Sequence, residues 1–215
     1  MRKLVVAAML SLDGVMQAPG GPQEDTSGGF AHGGWIWPHA SAGEDAMGGA
    51  FKQPFELLLG RRTYDIFAAY WPQVASDAPH HGIAALFNGV PKHVATHHAQ
   101  TLTWHNSHAL GPDIVAAVRA LKHGDGADLL TQGSSQLVHQ LLATDLVDEL
   151  RLLVYPVVLG RGKRLFDEHG QASAFRLEES RSTPSGVVIT RHVRDGEVRS
   201  RAFDAPDPHG RQAPD

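Results

Sequence analysis

The stretch Leu58-Leu59-Gly60-Arg61-Arg62-Thr63-Tyr64-Asp65-Ile66-Phe67-Ala68-Ala69-Tyr70-Trp71-Pro72 decides the fold. Its first residues close a short strand-like run, 56–59, that stops at a glycine turn. Beyond the turn, Tyr64, Phe67, Ala68 and Trp71 fall at i, i+3, i+4 and i+7, one buried face of a helix, and Pro72 ends it. The same order recurs. Residues 92–96 read as a strand, and Ile114, Val115, Val118 and Leu121 give one apolar face to a helix starting after Gly111-Pro112. The proline is taken at a first helical position, where its missing N–H costs little. Residues 128–132 then form a third strand, followed by Gly133-Ser134-Ser135 and a helix carrying Leu137, Val138, Leu141 and Leu142. Three strand–turn–helix units imply a largely parallel α/β sheet.

Working outward, the apolar run 3–10 ends at Ser11-Leu12-Asp13-Gly14 and reads as a central strand buried on both faces. Residues 18–43 combine Gly, Pro and Ser with Trp35 and Trp37, an ordered loop over a pocket. A short helix is expected over 44–53. Toward the C-terminus the pattern changes: 149–159 is strand-like, and two β runs, 175–182 and 187–193, flank Thr183-Pro184-Ser185-Gly186, which predicts an antiparallel hairpin. One domain over 1–199 follows, with 200–215, rich in proline and poor in apolar residues, as a frayed tail.

Composition narrows the function classes. Of 215 residues 42% are hydrophobic and 20% charged, ordinary globular usage. Arg2 and Lys3 before Leu4 resemble a signal-peptide start, but the apolar run ends after seven residues and meets Asp13 instead of a small-residue cleavage site. No segment approaches the roughly 18 apolar residues of a membrane helix. A soluble, cytoplasmic protein is expected, without a membrane partner. The absence of cysteine removes disulfides, thiolate metal sites and cysteine nucleophiles. A net charge of −4 without a basic run argues against a nucleic-acid surface. The 14 histidines include no His-Glu-x-x-His, and the pairs His80-His81 and His97-His98 are adjacent, so their side chains diverge; no metal is expected. Neither a Gly-x-Ser-x-Gly elbow nor a phosphate-loop signature occurs, and Gly160-Arg161-Gly162-Lys163-Arg164-Leu165 has leucine where a Rossmann fingerprint needs its third glycine.

What the strand–helix turns do offer is anion binding, because exposed N–H groups and the positive end of the helix dipole converge there. Gly60, Arg61, Arg62 and Thr63 supply one cradle with charge. Gly133, Ser134, Ser135 and Gln136 supply another without it. Two cradles on one sheet suit a pyrophosphate, and the arginine pair with His97-His98 at a third strand end suits a ribose 2′-phosphate, favouring NADPH over NADH. Taken singly, each turn is equally well a routine glycine turn or serine cap.

These pieces together resemble a known family. Residues 11–14 (SLDG), 28–35 (GGFAHGGW), 58–72, 133–138 (GSSQLV), 145–166 (DLVDELRLLVYPVVLGRGKRLF) and 183–188 (TPSGVV) are similar to stand-alone relatives of the reductase domain of the riboflavin-pathway bifunctional deaminase-reductase, in the dihydrofolate-reductase-like superfamily. The resemblance spans nearly all of 1–195. It implies a three-layer α/β fold, with a mostly parallel central sheet, antiparallel C-terminal strands and flanking helices, and it implies NADPH. By position, Gly60, Arg61, Arg62 and Thr63 would contact the adenine-side ribose and phosphates, Thr96 and His97 the 2′-phosphate, and Gly133, Ser134, Ser135 and Gln136 the pyrophosphate. Ala8, Gly14 and Leu137 complete the implied cofactor contacts. Asp13 and Gly14 would line the nicotinamide and substrate pocket, with Trp35, Tyr155 and Pro156 as substrate wall, although sheet packing explains the last two equally well. Asp13, Glu44 and Asp45 are the candidate catalytic carboxylates; Glu44 lies sixteen residues before Gly60, roughly where dihydrofolate reductases carry a substrate-binding acid. The two acids at 44 and 45 are alternatively plain helix N-terminal charges. A zinc deaminase half has no cysteine to build on within these residues. The expected activity is therefore NADPH-dependent hydride transfer to a pyrimidine-, pterin- or imine-like compound, as in reduction of 5-amino-6-(5-phosphoribosylamino)uracil. The alternative is a nucleotide-binding protein without turnover. The resemblance also implies a homodimer using apolar strand surface near the C-terminal hairpin.

Overall fold

The computed structural model describes residues 1–39, 51, 53–78, 80–167 and 170–201. Of the expected helix over 44–53 only residues 51 and 53 are described, in a turn and a bend, and the tail beyond Arg201 lies outside the described residues, as do Glu44 and Asp45.

The strands are β1 (Leu4–Ser11), β2 (Phe55–Gly60), β3 (Lys92–Ala95), β4 (Ser107–Ala109), β5 (Asp128–Gln132), β6 (Glu149–Tyr155), β7 (Phe175–Ser182) and β8 (Val188–Arg194). They form one sheet ordered β4-β3-β2-β5-β1-β6-β8-β7. β1 pairs in parallel with β5 and β6, and β2 in parallel with β5 and β3. β8 runs antiparallel to β6 and β7, as the hairpin pattern predicts. The helices are α1 (Arg61–Tyr70), α2 (His81–Gly89), α3 (Ile114–His123) and α4 (Ser135–Ala143).

Strand alternation divides the core in two. Val5 and Ala7 of β1, Leu57 and Leu59 of β2, and Leu153 of β6 pack with Tyr64 and Phe67 of α1, Phe87 of α2 and the loop aromatics Phe30 and Trp35. On the other face Leu4, Val6, Ala8 and Leu10 pack with Leu58, Val118 of α3 and Leu137, Val138 and Leu141 of α4. Leu57, Leu58 and Leu59 are each 0% exposed, so β2 is buried on both faces. At about 1.5–3 kcal/mol per buried leucine, that burial holds β2 central. The result is the expected three-layer, dihydrofolate-reductase-like α/β architecture.

Several boundaries move, each for a local reason. α3 is capped by the Asp113 side chain, which accepts from the Ala116 N–H at 2.9 Å, so Pro112 sits before the cap and not at a first helical position. β6 stops at Tyr155 instead of continuing to 159, because Pro156 has no N–H and the Val157 N–H turns back to the Tyr155 carbonyl at 2.8 Å. Tyr155 is thus the end of its strand, not its centre. The helix after Gly60 yields at Trp71 to a short 3₁₀ turn around Pro72. Among the described residues no helix is long and apolar enough to cross a membrane.

Candidate functional site

Parallel strands open their carboxyl ends on one side of a sheet, and ligands of such sheets bind there. Here that side holds a cleft of about 1060 Å³ reached by Met9 of β1, Gly60 of β2, Ala95 of β3 and Gln132 of β5. The glycine turns leaving β2 and β5 form adjacent walls and are tied to each other. The Gly60 N–H donates to the Ser134 hydroxyl at 2.9 Å, and the Ser134 N–H donates to the Thr63 hydroxyl oxygen at 3.0 Å. This crossed pair sets the two turns side by side. It also means that the Thr63 and Ser134 hydroxyl oxygens, read from the sequence as ligand groups, are already partners of each other's turn.

The same geometry leaves two helix N-termini without side-chain caps. The N-cap position of α1 is Gly60 and that of α4 is Ser134, whose hydroxyl faces Gly60 and whose φ is +56°, in the left-handed region; neither makes a side-chain cap. α3, whose first residue Ile114 also reaches the cleft, is by contrast capped by Asp113. Uncapped first-turn amides facing one cleft can each accept an anion.

Gly60, Arg61, Arg62, Thr63, Thr96, His97, Gly133, Ser134, Ser135, Gln136 and Leu137, all named from the sequence, line this cleft together. Arg61 is held against the β3 end: its Nε lies 2.9 Å from both Asp65 oxygens, and its NH1 contacts Thr96 Oγ1 and the His98 carbonyl at 3.4 Å and the Thr101 hydroxyl. That arrangement aims a guanidinium at the turn where Thr96 and the exposed His97 stand.

The opposite wall comes from the 18–37 loop and carries residues that sequence reading missed. Asp25 accepts from Arg62 NH1 at 2.8 Å and from the Lys163 ammonium, joining α1 to the 160–166 loop. Burial raises its pKa, but the Lys163 and Ser27 hydrogen bonds outweigh this and bring it down to about 2. Gln17, 4% exposed, fastens this wall: its amide donates to the Asp25 and Ser27 carbonyls, and its oxygen accepts from the Lys163 N–H at 3.0 Å. Glu24 also lines the cleft. Its burial raises the carboxyl pKa against the Gly20 and Gly21 amides, which lower it. Contacts such as Asp25–Lys163 join residues 138 positions apart, which no local pattern announces. The one available signal was the density of acids and glycines in 20–29.

Other candidates stand elsewhere. Asp13 is outside the cleft lining, its carboxylate accepting from the Ser11 hydroxyl at 2.6 Å and the Leu159 and Gly160 amides at 3.1 and 2.9 Å, with Arg164 at 3.4 Å. These bonds pull it to about 2, so it is a loop-fastening anion at neutral pH. Gly14 closes the 11–14 turn at φ +79°. Ala8 points into the core under α4, and alternation gives the cleft Met9 instead. Trp35 is buried, donates to the Gln17 carbonyl at 2.8 Å and packs edge-on against Tyr155; Pro156 is exposed beside Gly186. Tyr155 is 0% exposed and its hydroxyl has no partner, an arrangement that costs about 1–3 kcal/mol. Burial pushes that phenol up to about 12. Among the described residues no group of three or more His, Asp or Glu side chains could hold a metal.

A family model described as the RibD C-terminal domain matches residues 2–189. The chain belongs to the RibD C-terminal domain family. Within reach of this RibD C-terminal domain stand two relatives from Bacillus subtilis (strain 168), both described as uncharacterized. YyaP is 30% identical over 132 residues, covering 61% of this chain and 70% of its own, and YwjB is 25% identical over 188 residues, covering 87% and 96%. Two crystal structures share its fold. A protein from Shewanella sp. PV-4 named for riboflavin biosynthesis superimposes with a TM-score of 0.57 at 21% identity, over 90% of this chain and 99% of that one. A pyrimidine reductase-like protein from Corynebacterium diphtheriae gives 0.52 at 13% identity, over 93% of each.

Proposed function

We propose that this chain is an NADPH-dependent reductase of the riboflavin-pathway, pyrimidine-reductase type, acting on a pyrimidine-, pterin- or imine-like small molecule. The observation that carries this reading is the pair of uncapped helix N-termini, α1 and α4, opening into one cleft from turns cross-linked by Gly60, Thr63 and Ser134. Membership of the RibD C-terminal domain family supports it, as do fold neighbours named for riboflavin biosynthesis and likeness to a pyrimidine reductase. In this reading the amides of Ser135, Gln136 and Leu137 hold the pyrophosphate, and Arg61, with Thr96 and His97, holds the 2′-phosphate. Bound there, NADPH would supply the hydride. Met9, Met16 and Phe67 give the lining an apolar part that would shield the reacting end from water. Glu24, whose burial raises its carboxyl pKa while its Oε2 accepts from the Gly20 and Gly21 amides, is one of the titratable groups of the lining, beside His97, that could hold a proton for transfer. The exposed Leu177 and Val188 of the β7–β8 hairpin support a homodimer as the assembly, which light scattering tests.

The direct experiment is titration of the purified protein with NADPH and NADH, read by nicotinamide fluorescence. NADPH is expected to bind more tightly than NADH, and Arg61→Gln to remove most of that preference. No NADPH binding at millimolar concentration overturns the reading. NADPH binding without turnover of the phosphoribosylamino-uracil substrate or of dihydrofolate would favour a nucleotide-binding protein instead.

A further inference from the structure

We propose that Arg62 and Lys163 form a two-cation seat for a phosphate group of the ligand, and that Asp25 is the internal anion which that phosphate displaces. The proposal rests on the cleft being a nucleotide site, and it joins Arg62 of the first cradle to Lys163 and Asp25, which neither cradle includes.

Three features of the cluster point this way. All three side chains line the cleft, and Asp25 is 10% exposed while Arg62 and Lys163 are 60% and 36% exposed. The anion is thus tucked against the wall while the cations reach toward solvent and any incoming ligand. A guanidinium carries five N–H donors and an ammonium three. Here Arg62 NH1 makes one bond at 2.8 Å to Asp25 Oδ1 and the Lys163 ammonium one to Oδ2, so most of the donors are left for a group with more oxygens than a carboxylate. A phosphate is such a group.

Apart from the Ser27 N–H, the backbone around the seat does not depend on the Asp25 carboxylate. Gln17 holds the Asp25 and Ser27 carbonyls at 3.0 and 2.9 Å and the Lys163 N–H at 3.0 Å through its own amide. Rotation of the Asp25 side chain therefore frees both cations while the wall stays in place. The carboxylate lost from the cations keeps the Ser27 N–H, now at 3.1 Å, as a partner within its own turn. The Arg62 end of the cluster is 60% exposed, where a single ion pair is weak in water, so the guanidinium is open to exchange for a doubly charged group.

Isothermal titration of the full chain with inorganic pyrophosphate tests the seat. Asp25→Asn is expected to tighten binding about tenfold, and Arg62→Gln or Lys163→Gln to weaken it about tenfold, with Lys163→Arg near wild type. Binding by Asp25→Asn no tighter than wild type, or by Lys163→Gln unchanged, overturns the proposal. If melting curves show Asp25→Asn unfolded, the two cation variants decide alone. NADPH, NADH and ribose 5-phosphate then identify the source. Sensitivity of both dinucleotides to Lys163→Gln assigns the cofactor pyrophosphate, and sensitivity of ribose 5-phosphate alone assigns a substrate phosphate. Indifference of all three ligands overturns the seat. A wild-type protein that binds pyrophosphate through Lys163 but not NADPH sustains the seat and overturns the cofactor reading.

Discussion

Replacing Asp13 by Asn keeps the shape of the side chain and removes its charge. In the fold that charge is stabilised by the Ser11 hydroxyl, which outweighs partial desolvation, and by the amides of Leu159 and Gly160, and the pKa falls from 3.8 to about 2. Each pH unit between folded and unfolded values corresponds to 1.36 kcal/mol, so the full contribution is about 2 kcal/mol. With 21% of the side chain exposed, solvent screening reduces this to about 1–1.5 kcal/mol. The sign follows from linkage. The folded-state pKa lies below the unfolded one, so the stabilisation is complete above 3.8 and is lost as pH falls toward 2, with roughly half remaining at pH 3. Urea unfolding followed by tryptophan fluorescence reads this directly. At pH 7 the variant's midpoint is expected about 0.5 M below wild type, given a slope of about 2–3 kcal/mol per molar. The gap should narrow at pH 3, and turnover at pH 7 should be near normal. An unchanged midpoint together with lost turnover would refute the loop-fastening account and return Asp13 to the chemistry.

Three further outcomes are expected. Gly133→Ala places a methyl 3.2 Å from the Thr63 side chain at φ +69°, and at about 1–2 kcal/mol for the left-handed strain alone it should lower the melting temperature and weaken NADPH binding together. Lys92 is 0% exposed and burial lowers its pKa to about 8, so the folded state releases its proton before the unfolded state does; wild-type stability should rise between pH 8 and 10.5, and Lys92→Met should flatten that rise in urea midpoints. If Glu24 holds the transferred proton, wild-type turnover should decline as pH rises through its elevated pKa, and Glu24→Gln should lose that limb of the profile with about 10²–10⁴ lower kcat.

The parts of this fold written in local pattern were legible. β5 and β7 occupy the predicted spans, and the Tyr64–Phe67 face of α1 is where periodicity placed it. What escaped was either weakly patterned or non-local. α2 contains Gly82 and ends Asn88-Gly89, poor helix formers that only packing of the 0% exposed Phe87 overrides. β4 is three residues, Ser-His-Ala, on the sheet edge, too short to show alternation. In the site, both cradles could be read because a strand, a glycine and a helix are contiguous in sequence. Gln17, Asp25 and Lys163 could not, since their role arises only when the 18–37 loop meets the 160–166 loop.

The crossed hydrogen bonds between the two turns carry a consequence for folding. Gly60 and Ser134 are 74 residues apart, and Thr63 and Ser134 are 71 apart, yet each turn takes a hydroxyl from the other. Neither cradle is complete in a nascent chain that has not yet delivered β5 beside β2. Hydrogen exchange at the amides of Gly60 and Ser134 should accordingly slow in one step, and a dinucleotide present during refolding should protect both turns or neither.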